Sequence, residues 1–117
     1  AWHGIHWLLT GTAYDTETFA GQAIFGGDAV GSDLGHGPAH LIDPRTVKKI
    51  SAALDALPAS EVAARIDFEA MLDADIYPGF WDEQDVFSTW LRPRYKQLRK
   101  FYRRAARASS AVLVAIL

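Results

Sequence analysis

The sequence predicts an α/β domain in which a short sheet is flanked by helices and closed by a long amphipathic helix followed by a final buried strand. Three observations predict it. Apolar residues recur at helical spacing in several segments, and short apolar runs bounded by Gly and Pro read as strands. The chain has 117 residues, 50% of them apolar, which suffices for one core and not for two.

Trp2–Leu9 reads as a helix with Trp2, Ile5, Leu8 and Leu9 on one face, stopped by Thr10-Gly11. His3, His6 and Thr10 fall on the opposite side. A turn-prone loop over 12–18 leads to the short apolar run Ala23–Phe25. Gly26–Pro38 contains five glycines, a density that favours tight turns or a hairpin with positive φ. Ala39–Ile42 is then a short strand.

Asp43-Pro44 starts the next helix as an N-cap followed by Pro at the first helical position. Val47, Ile50, Leu54 and Leu57 give it one buried face, and Pro58 ends it. Ser60 and Asp67 are expected to cap two further short helices. Ile76-Tyr77-Pro78-Gly79 reads as an extended segment and a turn. Asp82 begins the last helix, with Glu83 and Asp85 where acids suit the positive end of the dipole. Its apolar stripe runs through Phe87, Trp90, Leu91, Tyr95, Leu98, Phe101, Tyr102 and Ala105, and it is expected to pack on the sheet. Pro93 is expected to kink or split it. The continuous apolar run Ala111–Leu117 fits a strand covered on both faces.

The composition excludes several classes of function. With no Cys there is no disulfide framework, no thiolate metal site and no Cys nucleophile, which fits a reducing compartment. The apolar run Ala108–Leu117 is half the ~20 residues of a membrane-spanning helix. The chain opens on Trp2-His3-Gly4 without an initiator Met or a basic leader, which suggests that a natural N-terminal segment precedes it.

Charge is divided unevenly. The 14 acids all lie at or before Asp85, where only four basic residues accompany them, a formal −10; the eight basic residues after it give +8. At roughly 100° per residue, Arg92, Lys96, Arg99, Lys100, Arg103, Arg104 and Arg107 share an arc of about 140°, and only Arg94 falls toward the apolar side. Nucleic-acid domains are usually net positive, whereas this chain carries −2, so the stripe reads as a solvated face balancing the acidic remainder.

No residue set amounts to a catalytic or metal signature. His3 and His6 lie one helical turn apart but lack a third ligand at a defined spacing, and Gly37-Pro38 separates His36 from His40. The glycine-rich segment carries no phosphate-loop pattern and precedes a strand instead of opening a helix. Asp73, Asp75, Asp82, Glu83 and Asp85 surround Tyr77 and Trp81, but capping accounts for Asp82 and Asp85. No G-x-S-x-G elbow occurs. The expectation is no catalytic residue, no metal and no cofactor.

Three segments in order, Trp2 through Thr12, Glu69 through Gly79 with Ile76-Tyr77-Pro78-Gly79, and Phe101-Tyr102-Arg103-Arg104 leading into the last strand, together resemble the YfbM-like family of bacterial domains of unknown function. The resemblance spans nearly the whole chain. It implies a single three-layer α/β domain over 1–117, a bacterial cytoplasmic protein, and an N-terminal segment before the Trp-x-x-x-His helix. It supplies no activity or cofactor. Within the matching motifs, Trp2, His6, Thr10 and Tyr77 are the candidate binding residues, whereas His3 and Gly26–Pro38 depart from the pattern.

The reading that follows is a non-enzymatic binding or protein-interaction domain whose partner is another protein, with nucleic acid and membrane not expected and the oligomeric state open. The alternatives are a small enzyme or ligand-binding protein with a pocket near His6 and Tyr77, and an immunity-like toxin inhibitor.

Overall fold

The computed structural model describes residues 2–76 and 91–116. Within them the chain runs α1 (Trp2–Thr10), α2 (Gln22–Phe25), β1 (Asp28–Val30), β2 (Ala39–Ile42), α3 (Pro44–Asp55), α4 (Ala59–Ala63), α5 (Phe68–Asp73), α6 (Arg92–Arg107) and β3 (Val112–Val114). The strands form one antiparallel sheet in the order β1-β2-β3.

The first helix departs from the amphipathic expectation. Ile5, Leu8 and Leu9 are buried as predicted, but so are His3 and His6, at 1% and 0% exposure. A helix buried on both faces belongs to the core, and its polar side chains must be accommodated there. It ends as its sequence requires: Gly11 takes φ +73°, and its N–H bonds the Trp7 carbonyl at 2.6 Å. Two more carbonyls of its last turn are capped from far along the chain, where Arg65 donates to Leu8 O at 3.0 Å and Leu9 O at 3.3 Å.

Gly26–Pro38 supplies both β1 and the connection to β2. Asp33 Oδ1 accepts from the N–H groups of Gly35 and Gly37, which fixes the loop. Gly27 needs to be glycine for a second reason besides its φ of +89°: a Cβ there would lie 2.6 Å from the Leu41 carbonyl oxygen. The register pairs Asp28 with Leu41 and Ala29 with His40, then Leu41 with Leu113 and Ile42 with Val112. Ile42 and Val112 face the core; Leu41 and Leu113 face outward, Leu113 being 62% exposed. The last strand is therefore covered on one face, not both, because Leu113 and its partner Leu41 on the central strand share the solvated face of the sheet.

Asp43 caps α3 as expected, accepting from Thr46 N at 2.8 Å while Thr46 Oγ1 donates to it at 3.0 Å. Val47, Ile50 and Leu54 are fully buried. Asp67 likewise caps α5 through Ala70 N. Ser60 does not cap α4: Pro58 holds the cap position and Ser60 sits inside the helix, exposed. Pro starts a helix well, since its fixed φ suits the first turn and it has no N–H to leave unpaired.

The same logic places Pro93 in the first turn of α6, which then runs unbroken through Arg107; the chain before it, and with it the expected kink or split of a longer helix, lies outside the described residues. The predicted start at Asp82 and the stripe residues Phe87 and Trp90 lie outside the described residues. Packing of α6 also differs from expectation: its main neighbours are α3 and α4, not the sheet. Tyr95 and Tyr102 are buried, and the Tyr95 hydroxyl donates to Leu57 O at 2.6 Å. Arg99 Nε reaches Leu54 O at 3.1 Å, and Arg103 meets Asp55 Oδ1 at 2.7 Å. The basic face thus caps the C-terminus of α3 as well as facing solvent, and cations suit that end of a helix. Phe101, expected in the buried stripe, is 53% exposed.

No helix among the described residues is long and apolar enough to cross a membrane.

Candidate functional site

The packing of α1 against α2 gathers five rings. His3 and His6 lie three residues apart on α1, Trp2 stacks on His3 at 5.1 Å, and Phe25 at the end of α2 contacts all three rings. His6 meets Phe25 edge to face at a centroid distance of 4.6 Å, and Trp2 meets it at 5.7 Å. Tyr14, from the loop after α1, stacks on His3 at 4.9 Å and approaches Phe25 at 5.3 Å. Edge-to-face and offset contacts at these distances each contribute about 0.5–1.5 kcal/mol beyond the area buried.

Within this cluster the two histidines are treated differently. His3 Nε2 lies 3.1 Å from the Ala13 carbonyl, so the ring is held in one orientation as a donor. His6 is sealed from solvent, and neither Nδ1 nor Nε2 has a hydrogen-bond partner. The backbone of Asp15 lies near enough to favour a charged ring but does not meet it in hydrogen-bonding geometry. Burial and the neighbouring His3 outweigh that influence and push the His6 imidazole down to about 4. Burial lowers His3 as well. Both rings are therefore neutral near pH 7.

Two cavities flank the cluster. One, of about 310 Å³, is lined by Thr16, Gln22, Phe25, Gly26, Gly27, Asp28, Leu41, Ile42, Asp43 and Thr46. Hydrogen bonds from Thr46 hold the Asp43 carboxyl below its ordinary range, so it stays ionised there. The other, an apolar groove of about 340 Å³, lies between Trp2, Ile5, Ile24, Leu98 and Phe101, with Arg94 and Gln97 at its rim. Phe25 lines the first cavity and Trp2 the second.

Of the four candidate residues named from sequence, the structure places Trp2 and His6 in this cluster. Thr10 lies one turn beyond, its hydroxyl donating to His6 O at 2.9 Å and sharing hydrogen bonds with Thr12. It fixes the end of the helix that carries His6. Tyr77 lies outside the described residues. His3, discounted from sequence, is a full member of the cluster. Tyr14 and Phe25 were not singled out, because a loop Tyr and an apolar-run Phe carry no signal of convergence. Among the described residues no group of three His, Asp or Glu side chains could hold a metal ion.

The comparisons with known proteins agree with the fold. A crystal structure of YfbM, a protein of unknown function from Escherichia coli, superposes with a TM-score of 0.74 at 20% identity, over 99% of this chain and 77% of that one. None of the curated proteins searched matches the chain. The family profile described as a domain of unknown function, DUF1877, matches residues 1–115. The chain belongs to this YfbM-like family of domains of unknown function, DUF1877.

Proposed function

We propose that this chain is a binding domain that receives a small ligand at the ring cluster around His6. The observation that carries the reading is the His6 imidazole, fully buried with both nitrogens unpartnered. An unsatisfied polar group in a protein interior costs about 1–3 kcal/mol, and native structures hold few of them. A neutral imidazole offers one donor and one acceptor, which makes it a ready receiver for a hydroxyl or an amine. A bacterial cytoplasmic setting belongs to the same proposal; the likeness to an Escherichia coli protein and the lack of Cys support it.

The test is differential scanning fluorimetry of wild type and His6→Leu with the small-molecule fraction of a bacterial extract. Wild type is expected to gain several degrees and the variant none. Equal responses, or none, contradict the reading.

A second reading, that the partner is another protein, is favoured by the apolar groove beside Phe101. Arg94 at its rim and the basic residues of α6 suit a segment that carries acidic side chains along an apolar face. Fluorescence anisotropy with a labelled acidic amphipathic peptide tests it. Binding that Phe101→Ala or Arg94→Glu weakens at least tenfold supports this partner; binding indifferent to both removes it.

A further inference from the structure

The charges of α6 are only partly spent inside the molecule. Asp55 takes Arg99 and Arg103. Arg94 donates to Gln97 at 3.2 Å, and among the described residues no carboxylate meets Arg94 or Arg104, both of which are exposed. At roughly 100° per residue, Arg94, Gln97, Phe101 and Arg104 share an arc of about 80°. The exposed Phe101 ring is thus bracketed by two cations. It borders the apolar groove of about 340 Å³ that Trp2, Ile5, Ile24 and Leu98 complete.

The fifth helix carries the inverse pattern. Glu69, Leu72 and Asp73 are exposed and share an arc of about 100°, while Met71 anchors the opposite side in the core. Leu72 stands 41% exposed between the two acids, and among the described residues neither acid meets a cation. Like charges four residues apart on a helix repel, so cations brought from outside would relieve Glu69 and Asp73.

Resting on the protein-partner reading of the groove, we propose that its occupant is a second copy of this chain. Leu72 of one copy seats against Phe101 of the other, and Glu69 and Asp73 meet Arg94 and Arg104. A net charge of −2 leaves two copies with little overall repulsion, while the separation of acids from α6 orients them. A long polyanion such as nucleic acid is disfavoured, because beyond the ends of α6 it meets the acidic remainder of the chain. Exposed ion pairs are individually weak, so the charges set the register of the contact more than its strength, and the association is transient. Given reciprocally, with α5 of each copy in the groove of the other, the contact closes into a pair.

Sedimentation equilibrium of the chain over a hundredfold range of concentration tests this. The mass is expected to rise above that of the monomer with concentration, and less steeply at high salt. Arg94→Glu with Arg104→Glu, and separately Glu69→Lys with Asp73→Lys, are each expected to weaken association at least tenfold. An equimolar mixture of the two double variants restores opposite charges at both contacts, so it is expected to associate as wild type does, which also shows that both variants fold. A monomer at every concentration, association unchanged in both variants, or a mixture no better than its components overturns the proposal. A monomeric chain whose groove still binds the labelled acidic peptide through Phe101 refutes the second copy and leaves the protein-partner reading standing; loss of both removes that reading as well.

Discussion

The Tyr102 hydroxyl donates to the carbonyl of Ala23, joining the last helix to α2 across 79 positions of sequence. Both groups are buried, and burial pushes the Tyr102 phenol well above its ordinary value. Ala23 precedes Phe25 by two residues, so this bond anchors the short helix on which the ring cluster depends. Tyr102→Phe keeps the ring and strands a buried carbonyl. A loss of about 1–2 kcal/mol is expected, read as a lower urea midpoint at unchanged slope.

Arg65 is a helix cap supplied from 57 residues away, through its bonds to Leu8 O and Leu9 O. Charge-assisted hydrogen bonds to a helix C-terminus exceed neutral ones. Arg65→Met keeps much of the stem and removes the donors, and is expected to cost about 1–2 kcal/mol. Lys100→Met, on the exposed side of α6, is expected to stay within about 0.5 kcal/mol of wild type. Equal losses in the two variants would show that Arg65 acts by general charge and not as a cap.

His6 is held neutral at a cost that the unliganded fold bears. His6→Leu removes the unsatisfied polar atoms at similar volume, so thermal unfolding is expected to show a gain of about 1 kcal/mol and lost extract binding. A large loss of stability would instead mean that the imidazole makes a structural hydrogen bond.

Acid sensitivity follows from the same group. His6 falls to about 4 in the fold from an ordinary 6.5, so the unfolded chain binds its proton first as pH drops. Stability from this residue is complete above pH 6.5, declines between 6.5 and about 4, and is flat below. At 1.36 kcal/mol per unit the full decline is on the order of 3 kcal/mol. Urea titrations at pH 7, 5.5 and 4.5 are expected to show that fall in wild type, and a smaller one in His6→Leu.

Local signals in the sequence survive into the structure where the physics is local. The Asp43 and Asp67 caps, the Gly11 stop and the buried face Val47–Ile50–Leu54 each need only neighbours within a turn. The resemblance built on Trp2–Thr12, Glu69–Gly79 and Phe101–Arg104 also identified the family correctly. What failed needed knowledge of distant partners. Leu113 is apolar yet exposed because it shares the solvated face of the sheet with Leu41, which only the tertiary arrangement reveals. His3 and His6 looked like a polar helix face until α2 and the 12–18 loop covered them. Arg99 and Arg103 read as solvated until α3 ended beside them.

The candidate site was half legible. Trp2 and His6 were named from the motif that carries them, but Phe25 and Tyr14 join them only through the tertiary path of the chain. Thr10 proved to serve the helix end, through its bond to the His6 carbonyl.

The most direct measurement is the ¹⁵N chemical shift of the His6 ring at pH 6, recorded with and without the small-molecule extract fraction. The account predicts a neutral ring without hydrogen bonds in the isolated protein, and a shift of at least one ring nitrogen when the fraction is added. A ring already protonated at pH 6, or one unmoved by a fraction that stabilises the protein, would contradict it.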